Sequence, residues 1–124
     1  VTGDRRRQAE RRGRQAESLA ALWLRAKGWR IVSRRRRLPM IEVDIVARRA
    51  GVLAVVEVKR RATLDEARAA LTPWAAARLA GAARQIAAEI AAREGRGLTA
   101  RVDLIALAPG RWPVHIEGVQ QETA

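Results

Sequence analysis

Residues 41–59 read IEVDIVARRAGVLAVVEVK, and their pattern decides the fold. Ile41–Arg48 alternates apolar and polar residues, the two-residue period of a strand. Val52–Lys59 is rich in β-branched residues and reads as a second strand. Between them Ala50-Gly51 is a turn signal, and a connection this short joins antiparallel neighbours. A hairpin folded symmetrically about it sets Asp44 opposite Glu57 and Glu42 opposite Lys59. Leu53 and Val55 share a strand face with Glu57 and Lys59, so those two charges fall near the edge of a core, where unpaired charge is costly.

Two carboxylates directly across an antiparallel pair repel each other. The residues alone leave three readings open: Lys59 nearby offsets these charges, a bound divalent cation does, or they form the solvated face of the hairpin. Hard cations such as Mg²⁺ take oxygen ligands and often need only one or two carboxylates, with waters and phosphate oxygens completing the shell. Carboxylates beside a lysine on a rigid hairpin suit metal-assisted hydrolysis of a phosphodiester.

Composition narrows the chemistry. A chain of 124 residues is the length of one domain, and 48% apolar residues suffice for a packed core. It has no cysteine, which excludes disulfides, zinc–thiolate sites, iron–sulfur clusters and thiol nucleophiles. His115 is the single histidine, so a Ser-His-Asp site has one candidate base and a His-rich metal site has no material. Any metal must be held mainly by carboxylates. No apolar run approaches the roughly 20 residues of a spanning helix, and no signal-peptide core is visible, so the expectation is a cytoplasmic chain without a membrane partner.

The formal charge is +12, and residues 1–37 carry 13 basic against three acidic side chains. That asymmetry points to an anionic partner, nucleic acid first, with a merely solvated arginine-rich surface as the alternative; DNA is expected ahead of RNA, a ranking that charge itself does not give. The candidate phosphate contacts are Arg11, Arg12, Arg14, Arg34, Arg35, Arg36, Arg37, Arg60 and Arg61. Outward from the hairpin, helical spacing covers residues 9–27 and stops at Gly28, and Trp29–Arg36 reads as a strand. A short helical turn is expected over 64–70. Thr72-Pro73 then opens a helix to about Arg93, as a cap followed by proline. Thr99–Ala108 is a further strand, and Arg111–Glu117 an edge strand because of Pro113. The expected organisation is a basic arm at 1–8, one domain at 9–117 and a loose tail at 118–124. Trp23 and Trp29 are expected in the core, Asp103 is expected to pair with Arg101, and Trp112, if exposed, can stack on an unpaired base.

The segments Ile41-Glu42-Val43-Asp44-Ile45-Val46-Ala47 and Val56-Glu57-Val58-Lys59-Arg60-Arg61 together resemble the YraN-like family of small bacterial proteins. That family shows Gly-Glu-Ile-Asp followed by Val-Glu-Val-Lys. Ala16-Glu17 with Ala20, Leu24, Gly28 and Trp29 resembles its first helix, and Arg101-Val102-Asp103-Leu104-Ile105 a later strand. Ile41 and Ala16 stand where the family has glycine, and no lysine follows Thr72-Pro73. The resemblance implies an α/β fold of the restriction-endonuclease-like kind, with an α-β-β-β-α-β core related to Holliday-junction resolvases. It further implies Asp44 and Glu57 as ligands of Mg²⁺ or Mn²⁺ and Lys59 as the catalytic lysine; beside this, Glu17 on the first helix is a candidate additional carboxylate, and Glu42, opposite Lys59 in the hairpin, a candidate support for it. By analogy with resolvases it also suggests a homodimer. The function expected is a metal-dependent endonuclease. The alternatives are a non-catalytic nucleic-acid-binding module on the same fold and a basic protein-interaction domain.

Overall fold

A computed structural model describes residues 2–119. In chain order the elements are α1 (Thr2–Ala26), β1 (Arg30–Arg37), β2 (Glu42–Arg49), β3 (Val52–Arg60), α2 (Leu64–Ala69), α3 (Pro73–Glu94), β4 (Thr99–Leu107) and β5 (Val114–Ile116). The strands form one mixed sheet in the order β1-β2-β3-β4-β5. β1, β2 and β3 are antiparallel, β3 and β4 are parallel, and β5 returns antiparallel to β4. This is the expected α-β-β-β-α-β order, with α2 and β5 added.

Helices cover both faces because the strands are apolar on both. On one face Ala16, Ala20, Ala21 and Leu24 of α1 pack with Trp29, Ile45, Ala54, Val56 and Ile105. On the other, Leu79, Ala82, Ala83, Ile86 and Ile90 of α3 meet Val43, Val46, Leu53, Val55 and Val102. α3 starts as its sequence dictates: the Thr72 hydroxyl accepts from the Ala75 N–H, Pro73 follows, and Gly95 ends the helix at φ 76°. Small residues on both helices let them lie close to the sheet.

Three sequence expectations change. First, α1 begins at Thr2, so residues 2–8 continue the helix instead of forming an arm. Arginine is a good helix former, and Asp4 in the first turn favours the N-terminal end. Second, part of the expected loose tail is anchored: the Val119 N–H donates to the Val102 carbonyl at 2.6 Å, and the Gly118 N–H to Asp103 at 3.0 Å. Residues 120–124 of that tail lie outside the described residues. Third, Trp29 is buried as expected, whereas Trp23 is only half-buried and packs against Trp112 at 5.8 Å between ring centroids.

The hairpin register is the one expected, from Arg49 opposite Val52 to Ile45 opposite Val56. Beyond Ile45 the two strands part. Strict alternation puts Val43 and Ile45 on one face, yet Val43 packs under α3 and Ile45 under α1. The side-chain pattern therefore switches faces at Asp44. Arg34 opposes Ile45 and Arg36 opposes Val43, so Arg35 lies beside Asp44, and Arg35 has a left-handed φ of 53°. This local irregularity decides where the Asp44 carboxylate ends up.

Candidate metal and nucleic-acid site

At the parting of β2 and β3 the backbone pairing is replaced by a side chain. Asp44 Oδ2 accepts the Val58 N–H at 2.8 Å. The Glu57 carboxyl lies within hydrogen-bonding reach of Asp44. Burial comes first, and the hydrogen bond and negative charge of Glu57 add to it; together they push the Asp44 pKa from 3.8 up to about 8. The Val58 N–H and the charge of Lys59 pull the other way and are outweighed. Glu57 is itself buried, at 8% exposure, and Lys59 Nζ stands 3.7 Å from its carboxylate. The residues expected opposite one another thus come together, though through side chains and not as a regular strand pair.

These groups face a cleft of about 410 Å³. One wall is a helical stripe of α1, comprising Ala9, Arg12, Gly13, Ala16 and Glu17. The small side chains of that stripe leave the space open. Glu42, Asp44, Glu57 and Lys59 form the floor, and Arg60 and Arg61 the rim.

Asp44 and Glu57 can hold a divalent cation, because two acidic groups at such close range need either a shared proton or a positive ion. Glu17 does not complete a three-carboxylate set. Its Oε1 accepts from Arg35 Nε at 2.6 Å and lies 3.8 Å from Arg34. Among the described residues no group of three or more His, Asp or Glu side chains converges on one point. Glu42 also departs from its expected partner: it pairs with Arg37 at 3.3 Å, not with Lys59.

The candidate phosphate contacts divide in two. Arg34 and Arg35 pair with Glu17, Arg36 with Glu89 at 2.6 Å, and Arg37 with Glu42. By contrast, Arg11, Arg12, Arg14, Arg60 and Arg61 make no ion pair among the described residues. Uncompensated positive charge therefore sits on α1 and at the end of β3, on either side of the cleft. Arg111 belongs to this unpaired set and was missed in the sequence, where it reads as the first residue of an edge strand.

Residues 16–107 match the family described as Uncharacterised protein family UPF0102. The chain belongs to this family. It is the YraN-like family that the motifs indicated. The UPF0102 protein of Caulobacter vibrioides (strain NA1000 / CB15N) is 50% identical over 108 residues, 87% of this chain and 85% of the relative. That of Caulobacter sp. (strain K31) is 53% identical over 104 residues, covering 84% and 73%. That of Erythrobacter litoralis (strain HTCC2594) is 45% identical over 117 residues, covering 94% and 98%. The UPF0102 match contains Asp44, Glu57, Lys59 and the core of both faces, whereas Arg12 and Arg111 lie outside it.

A second polar cluster lies on the far side of β4. Asp103, fully buried, accepts from Arg101 Nε and Nη2 at 2.8 and 3.0 Å and from the Gly118 N–H. His115 Nε2 is 2.8 Å from Asp103, and His115 Nδ1 is 2.6 Å from Lys27 Nζ. A lysine ammonium donating to Nδ1 leaves the Nε2–H as the donor to Asp103. Burial alone would raise the Asp103 pKa, but hydrogen bonds from His115, Arg101 and Gly118 hold it below the usual carboxylate value. This cluster clasps β5 to the sheet, and Asp103 is a structural partner of Arg101, as expected.

No helix among the described residues is long and apolar enough to cross a membrane.

Proposed function

We infer that this chain is a nucleic-acid-binding, divalent-metal-dependent endonuclease. The observation that carries this reading is the meeting of Asp44, Glu57 and Lys59 in one cleft flanked by arginines that make no ion pair among the described residues. Two carboxylates held this close are electrostatically unfavourable when both are charged, and a divalent cation relieves that repulsion where a shared proton otherwise would. Asp44 and Glu57 would hold Mg²⁺ or Mn²⁺, with waters and a phosphate oxygen completing the shell. When bound, such an ion polarises a phosphate and lowers the pKa of its water.

The protein's own groups have distinct tasks. The Val58 N–H holds one oxygen of Asp44, whose carboxyl lines the cleft. Lys59, tethered near Glu57, places an ammonium group where it can orient a water or stabilise charge on the phosphate. Arg12, Arg60 and Arg61 hold the strand by its phosphates. A homodimer, suggested by analogy with resolvases, would present two such clefts.

The test is a panel of duplex, branched and single-stranded DNA and RNA incubated with Mg²⁺ or Mn²⁺, comparing wild type with Lys59→Ala. Cleavage that needs the metal and disappears in Lys59→Ala, while binding persists, is the expected result. Salt-sensitive binding without cleavage by the wild type leaves a binding module in place of an enzyme. Absence of binding to every substrate overturns the reading.

A further inference from the structure

A second cavity of about 300 Å³ adjoins the carboxylate cleft and shares Arg12, Ala16 and Arg60 with it. Its remaining walls are Gln15 and Leu19 of α1 and the β4–β5 turn from Leu107 to Arg111. Three arginines line it and, among the described residues, no carboxylate does. Leu19, Leu107, Ala108 and Pro109 give it an apolar wall. Beyond Arg111 stands Trp112, 80% exposed, its ring tilted at 35° on Trp23. Trp23 is one helical turn from Leu19, so the Trp23–Trp112 pair extends the apolar wall outward.

A cavity with cationic and apolar walls beside an exposed indole matches the two faces of a nucleotide, an anionic phosphate and a flat base. Stacked bases of an intact duplex cannot offer their faces to a side chain, whereas an unpaired base can. The Gly110 turn at φ 72° and the short β5 hold Arg111 and Trp112 at this position. β5 is in turn fixed through His115 and Asp103.

We propose that this second cavity and Trp112 seat an unpaired nucleotide of the strand whose phosphate lies in the carboxylate cleft. Arg12 and Arg60 contact the phosphate shared by the two cavities, Arg111 the next one, and Trp112 takes the base on its free face. The substrate class is then nucleic acid with unpaired nucleotides next to a duplex, such as an overhang or flap. This deepens the proposed function and rests on it for the cleft, but it is read from binding alone.

The full chain is titrated, with metal chelated, into three fluorescein-labelled DNA probes. They are a blunt duplex, the same duplex with a short single-stranded overhang, and the overhang strand alone. Wild type is expected to bind the overhang duplex about tenfold more tightly than the blunt one, at the lower end for one base stacked on an aromatic side chain. Trp112→Ala is expected to remove that preference without changing blunt-duplex affinity, and Trp112→Phe to restore most of it. Arg111→Ala weakens overhang binding and lowers its salt dependence. Equal affinity of wild type for blunt and overhang duplexes overturns the subsite and leaves the nuclease reading standing. A preference that survives Trp112→Ala also overturns the subsite. Absence of binding to all three probes overturns both. A mass by light scattering that falls from dimer to monomer in Trp112→Ala, with no change in DNA preference, assigns the indole to self-association and also overturns the subsite.

Discussion

Asp44→Asn should make the metal-free protein more stable at neutral pH, although it removes the central acidic group of the cleft. The Asp44 pKa is raised from 3.8 to about 8, first by burial and then by Glu57. A carboxyl group whose pKa is raised on folding is favoured in its protonated form. Its contribution is therefore fully present below pH 3.8 and is lost as pH rises through about 8. At pH 7 the unfolded chain has ionised Asp44 and the folded chain must protonate it. Roughly three pH units at about 1.4 kcal/mol each set a ceiling of about 4 kcal/mol. Asp44 is half-buried, so water relaxation at the cleft reduces this, and about 1–3 kcal/mol is the working value. Asparagine carries no charge, its Oδ1 still accepts the Val58 N–H, and its amide can donate to Glu57. Urea denaturation of both proteins in chelator at pH 5, 7 and 9 measures the effect. The variant should have the higher midpoint at pH 7, and its advantage should grow from pH 5 to pH 9. Saturating Mg²⁺ should then stabilise wild type and not the variant. A variant less stable than wild type at pH 7, or an advantage independent of pH, would falsify the account of strained carboxylates.

Three further outcomes test other parts of the structure. Asp103→Ala leaves Arg101 and His115 without their buried partner and should cost about 3–5 kcal/mol by urea denaturation. Because the Asp103 pKa is lowered in the fold, its stabilisation exists above the ordinary carboxylate pKa and disappears as acid titrates it, so wild type and Asp103→Ala should converge in stability at low pH. Ala50 has a φ of 53°, a conformation that costs an L-residue about 1–2 kcal/mol, and Ala50→Gly should raise stability by about 0.5–1 kcal/mol, seen as a later urea midpoint. In DNA titrations across salt concentrations, Arg12→Ala should lower the slope by about 1, whereas Arg36→Ala, whose guanidinium pairs with Glu89, should change it less.

The hairpin was legible in the sequence because its signals are local. Alternation, β-branching and a turn at Ala50-Gly51 fix the pairing of Arg49 with Val52, and the register then propagates to Ile45 and Val56. The face switch at Asp44 was not legible, since it involves a left-handed Arg35 on the neighbouring strand. Nor were the partners of the arginine run. Glu17 and Glu89 belong to different helices, and only the packing of α1 and α3 brings them to β1. Arg111 escaped notice for a related reason: it is unremarkable in its own segment, and its place in a cavity comes from α1 crossing the β4–β5 turn. His115 shows the same limit, because a lone histidine acquires meaning only when β5 sets it between Lys27 and Asp103.

The sequence by itself determined the order of the elements, the register of the central hairpin and the kind of ligand available, since it offers no cysteine and one histidine. Each of these follows from spacing or composition along a few neighbouring residues. Tertiary structure decided how the charges are used. It turned Asp44 toward Glu57, tied Glu17 and Glu42 to arginines, and left Arg12, Arg60 and Arg111, without an ion pair among the described residues, around two joined cavities. The physical reason is that a long arginine can reach any of several carboxylates, and which one it meets is set by how helices pack on the sheet, through contacts far apart in the chain.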